Sequence, residues 1–149
     1  MSMTGELSKL FERDLDRLKQ EIEAFKDENN LWIIRGNIQN SAGNLCLHLV
    51  GNLNTFIGKN IGQYAYTRDR EAEFSLKNVP RQMLLEQVGL VKDKVKLSLS
   101  KIDDDTLEEI HFEHRLGTEM TNTFLLIHLV AHLSYHLGQI NYLRRMIES

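Results

Sequence analysis

The stretch HLVAHLSYHLGQI, residues 128–140, carries His128, His132 and His136 at four-residue intervals in an otherwise apolar run. On an α-helix a four-residue step turns about 40° around the axis and climbs about 6 Å along it, so neighbouring rings stand one turn apart on one stripe. An imidazole buried there without a partner costs about 1–3 kcal/mol. A fourth histidine, His48, sits in NSAGNLCLHLVGNL and shares a helical face with Leu45, Leu49, Asn52, Leu53 and Phe56. Two helices that each aim histidine at one core match a divalent metal centre. An i, i+4 pair holds an ion from one helix, a third imidazole arrives from another, and an open position remains, as in catalytic zinc sites and comparable nickel or iron sites. His128 and His136 are about 12 Å apart along a straight helix and cannot share an ion. The spacing permits His128 with His132 or His132 with His136, so His132 belongs to either pair.

These rings need long helices to position them, and the apolar periodicity supplies them. Leu7, Phe11, Leu15, Leu18, Ile22 and Phe25 form an amphipathic stripe that predicts a first helix over about residues 5–28. A second is expected over about residues 40–62, with Asn40 or Ser41 as its N-cap. QYAYTRDREAEFSLKN breaks the pattern and reads as a crossover or a lid. Pro80 suits the first turn of a third helix, whose stripe runs from Leu84 through Val88, Val91, Val95 and Leu99 to Ile102. Thr106 to Glu109, TLEE, fits a capping box for a short turn, and Gly117 and Thr118 precede a fourth helix over about residues 119–147. The expectation is an all-α four-helix bundle, one domain over residues 1–149, with a long connection that lets helices 2 and 3 run parallel.

Bulk properties narrow the function classes. The net charge is −3 with both signs interspersed, and no basic field marks a nucleic-acid partner. The most apolar window, FLLIHLVAHL, is too short and too polar to span a bilayer, and the opening MSMTGELSKLFERD lacks the apolar core of a signal peptide. With one cysteine, Cys46, and no internal disulfide, a cytoplasmic location is expected. Cys46 falls on the side of its helix away from His48 and reads as a packing residue.

HLVAHLSYHLGQI resembles the fourth-helix signature of the DinB-like superfamily, in which His-x-x-x-His is followed by Gly-Gln. NSAGNLCLHLVGNL is similar to that superfamily's second-helix histidine segment, and HLVGN and TRDREAEF are closest to a subgroup of unknown function. The resemblance spans nearly the whole chain. It implies that the metal ligands are His48, His132 and His136, with His128 beside them or in the core. It also implies an up-down-down-up bundle, a divalent metal and a homodimer.

Other groupings carry less. Glu108-x-x-His111 has the spacing of di-iron carboxylate bundles, but it occurs once and in a connector. His111 and His114 read as a surface or loop pair, and Asp103 to Asp105 as a solvated helix end. Arg68, Arg70, Glu71 and Glu73 crowd the long connection as a surface ion-pair cluster, or as a lid that sets a charged group such as Arg70 over the metal. Asn52, one turn past His48, and Gln139 of the Gly-Gln pair support the ligands or face substrate, and Asn52 reads equally as a polar core residue satisfied locally.

The function expected is that of a metal-dependent enzyme acting on a small molecule. By resemblance it is a thiol-dependent S-transferase or isomerase that takes a low-molecular-weight thiol. A metal-dependent hydrolase and a stress-associated metal-binding protein would use the same ligands. Leu126, Val130, Leu133 and Leu137 form a second apolar face on the fourth helix, expected to be covered by a partner copy.

Overall fold

The computed structural model describes residues 2–113 and 117–149. His114 of the His111/His114 pair lies outside them. Six α-helices are present among the described residues: α1 (Met3–Ala24), α2 (Ala42–Leu53), α3 (Arg70–Ser75), α4 (Arg81–Ser100), α5 (Asp104–Leu107) and α6 (Asn122–Ile147). A 3-10 turn at Glu28–Trp32 follows α1, and a π-helical segment at Asn54–Lys59 continues α2. The described residues hold no strand, only an isolated bridge between Ile110 and Thr121. None of their helices is long and apolar enough to cross a membrane.

Local chemistry sets the helix ends and moves several of them from the expected places. Ser41 rather than Asn40 caps α2, its hydroxyl accepting from the Asn44 amide. α1 stops at Ala24 because Phe25 is already extended (φ −61°, ψ 122°). Pro80 stands just before α4 as its cap residue, not inside its first turn. The expected capping box at Thr106 does not form. Asp103 caps α5 instead, accepting from the Thr106 amide and hydroxyl, so Thr106 is a helical residue. α6 begins three residues later than expected, where Thr121 accepts from the Phe124 amide. The long connection after α2 contains α3, capped by Asp69.

α1 packs against α4 and α6, and α2 packs against the same two helices. Phe11, Leu15, Leu18 and Ile22 of α1 meet Leu49, Leu53, Leu84, Leu99 and Leu126 in a fully buried core. α6 lies against both α1 and α2, so two adjoining flanks of it are covered. This overturns the expected role of its second apolar face. Leu126 and Leu133 are both 0% exposed within the single chain, and Val130 and Leu137 pack against the core. The large apolar side chains that α6 leaves in solvent are others: Phe124, Ile127, Tyr135, Tyr142 and Met146, at 56%, 52%, 65%, 70% and 49% exposure.

Both ends of α6 are pinned. At its start Asn122 Nδ2 donates to the Thr106 carbonyl (2.9 Å), and Asn122 Oδ1 lies 2.8 Å from His111 Nδ1. His111 Nε2 is 3.3 Å from Asn60 Nδ2. His111 is a loop residue, as expected, but not a surface one: it is 2% exposed and ties the connector to α6 and the end of the π-helical segment. At the far end the Glu148 carboxylate accepts from the Lys26 and Asp27 amides (2.8 and 3.2 Å) and from Asn30 Nδ2 (3.0 Å).

Candidate metal centre

His48 stands in the middle of α2, a helix buried along its whole length, and is 7% exposed. Its partners His132 and His136 come from α6, on the flank where the buried face gives way to solvent, and both are half-buried. The structure brings together one ligand nitrogen from each of the three, all within 4.8 Å of one another. His48 Nε2 and His132 Nε2 are 3.1 Å apart. Nitrogens about 2.0–2.1 Å from a tetrahedral zinc ion would be separated by about 3.3 Å, so this pair fits a shared ion.

The surroundings fix two of the three imidazole tautomers. Glu73 Oε1 lies 3.0 Å from His48 Nδ1, so that nitrogen carries the hydrogen and Nε2 presents its lone pair to the centre. Gln139 Oε1 lies 2.7 Å from His136 Nδ1 and assigns that ring in the same way. His132 Nδ1 is buried without a hydrogen-bond partner.

Glu73 is itself held. Arg68 donates to both carboxylate oxygens, Nε to Oε2 at 2.8 Å and Nη2 to Oε1 at 3.0 Å. The carboxylate reaches His48 across Gly51, where any Cβ would overlap it. Burial alone would raise the Glu73 pKa; the hydrogen bonds from His48 and Arg68 together outweigh it and hold the carboxyl below its usual range. Burial pushes the His132 pKa down to about 4, with the neighbouring His136, His48 and His128 rings and Arg68 adding to the shift. Burial likewise lowers His136. Neutral imidazole is the form that ligates, so the α6 pair is neutral and competent at neutral pH.

Residues 10–140 match the family model described as the DinB superfamily. The chain belongs to the DinB superfamily. A solved structure, the crystal structure of a conserved protein from Enterococcus faecalis, shares the fold with a TM-score of 0.75 at 16% identity, over 99% of this chain and 98% of that one. Comparison with the curated proteins finds no match.

In this DinB-superfamily chain the remaining expected site residues divide between two clefts. His128 is not in the triad; its ring stacks on His132 at 6.3 Å and lines a cleft of about 380 Å³ with His48, His132, Asn52, Arg68 and Arg70. Gln139 borders a second cleft of about 690 Å³ with His136, Ile38, Tyr135, Tyr142 and Met146. Cys46 is wholly buried with its thiol pushed up to about 12 by burial, as a packing residue should be. Arg68 and Glu73 are not the surface ion pair that the sequence suggested, because Glu73 is 6% exposed and bonded to a ligand ring.

Proposed function

We propose that this protein is a metal-dependent enzyme that holds a divalent ion (zinc, nickel or iron) on His48, His132 and His136. We propose further that it transfers or isomerises a small substrate with a low-molecular-weight thiol. The observation that carries the reading is the position of the triad between two clefts of different character. Polar groups (Asn52, Arg68, Arg70 and His128) surround the smaller, while Ile38, Tyr135, Tyr142 and Met146 line the larger. Two unlike reactants could then meet at one centre. An ion on three neutral ligands keeps its double charge and supplies Lewis acidity, lowering the pKa of a water or thiol that reaches it. The chain's own part is orientation. Glu73 and Gln139 keep the Nε2 lone pairs of His48 and His136 turned inward, and the clefts set the approach of each reactant.

In the same reading the long helices run up-down-down-up, with the 63–79 connection as the crossover, and the protein is a homodimer. The test is turnover of activated electrophiles with a panel of small thiols by metal-loaded protein. Activity should stop on chelation and be lost in the His48→Ala/His132→Ala/His136→Ala variant. Activity unchanged in that variant would remove the metal from the mechanism.

A further inference from the structure

Three polar side chains from three helices converge on the smaller cleft with no hydrogen-bond or ion-pair partner among the described residues. Arg70, at the start of α3, is exposed, and its guanidinium rests 5.5 Å from the centroid of the Phe74 ring without a carboxylate. Its neighbour Arg68 is spent on Glu73. Asn52 of α2 is 8% exposed, and its Oδ1 is buried with nothing to accept from. His128 of α6 is half-buried with its ring stacked on that of His132. A buried amide oxygen without a donor carries a desolvation cost that a bound donor would remove. An unpaired guanidinium at the rim offers the forked geometry that matches a carboxylate. His48 and His132 line the same cleft.

We infer that this cleft binds the carboxylate end of the substrate: the carboxylate pairs with Arg70, and a hydroxyl or amino group of the same molecule donates to Asn52 Oδ1. The reacting end of the molecule then lies toward His48 and His132. The inference rests on the metal-enzyme reading and names the class of one of its reactants, a small carboxylate with a hydrogen-bond donor. A single guanidinium suits a carboxylate better than a phosphate dianion, which would call for further donors.

Cobalt-loaded protein titrated with 3-mercaptopropionate and with its methyl ester separates the two claims. The absorption of the cobalt centre reports binding of either thiol. The acid should bind roughly twofold to fivefold more tightly than the ester. Arg70→Gln, at an exposed position, should abolish that preference and leave ester binding unchanged. Equal affinities in the wild type, or a preference that survives Arg70→Gln, would overturn the inference and leave the metal centre standing. A chain that takes up no cobalt would overturn the metal reading instead. The carboxylate site is then read on metal-free protein by amide chemical shifts on adding succinate. A shift at Asn52 that Arg70→Gln removes supports the site, and identical behaviour of the two proteins overturns it.

Discussion

Glu73 and His48 stand on different helices, and the 3.0 Å contact between Oε1 and Nδ1 decides which nitrogen of His48 faces the α6 histidines. The carboxylate is a positioning group, and its own position is fixed by Arg68. Replacing Glu73 by Leu should weaken metal affinity about 10- to 100-fold. Glu73→Gln, which retains an oxygen acceptor, should weaken it less. Competition with a chromogenic chelator measures both. Equal affinities for wild type and Glu73→Leu would mean that packing alone orients His48.

Gly51→Ala should destabilise the chain. Inside a helix this change ordinarily stabilises by about 0.5–1 kcal/mol. Here the new methyl occupies the place of the Glu73 carboxylate, and displacing it strips partners from His48 and Arg68. A net loss of about 1–3 kcal/mol is expected in urea unfolding. Adding Glu73→Ala should recover part of it, so the double-mutant cycle should be non-additive.

Helical periodicity made it legible that His48 and the α6 histidines lie on core-facing stripes, but it left His128 with His132 and His132 with His136 both open. The resemblance to the DinB-like superfamily chose His132 and His136, the pair the structure brings to His48. Glu73 was not legible, since α3 is one short turn in a connection without periodicity. One signal pointed to it: Gly51, three residues after His48 in an apolar helix, where nothing local needs a glycine. The burial of His111, a loop residue, was missed for the same reason, since its ring meets Asn60 and Asn122, far apart in sequence. The breadth of the apolar face of α6 was visible, but the sequence did not tell which flanks α1 and α2 would cover. The triad therefore lies at the border of the buried face rather than along its middle.

Acid should weaken the metal-free fold before it weakens most helical proteins. His132 titrates at about 4 when folded against 6.5 when free, so between those values the unfolded chain binds more protons and stability falls as pH drops. The lowered His136 acts in the same direction. Lowered Glu73 adds a further loss below its ordinary value of 4.5. Thermal melts between pH 7 and pH 4 should show a decline in melting temperature that His132→Leu makes shallower. A decline of equal slope in both proteins would place its origin elsewhere.

Charge on the two faces of α6 should act differently. Leu133→Glu puts a carboxylate at a fully buried position and is expected to unfold the chain rather than release monomers. Ile127→Lys with Phe124→Lys alters side chains already more than half exposed and should preserve the circular dichroism spectrum. A dimer is expected for the wild type, and those two lysines should shift it to monomer in sedimentation equilibrium. A dimer indifferent to them would use another surface.

The pins at the ends of α6 bear on how the protein would live with an intermittent metal supply. Asn122 and Glu148 fix the helix lengthwise through bonds remote from the histidines. These bonds between chain groups set where along its axis α6 places its two rings opposite His48. Small zinc domains collapse when stripped because binding energy is their folding energy. On the proposed metal reading, an ion would be a passenger rather than a keystone, since the bonds that place α6 do not run through it.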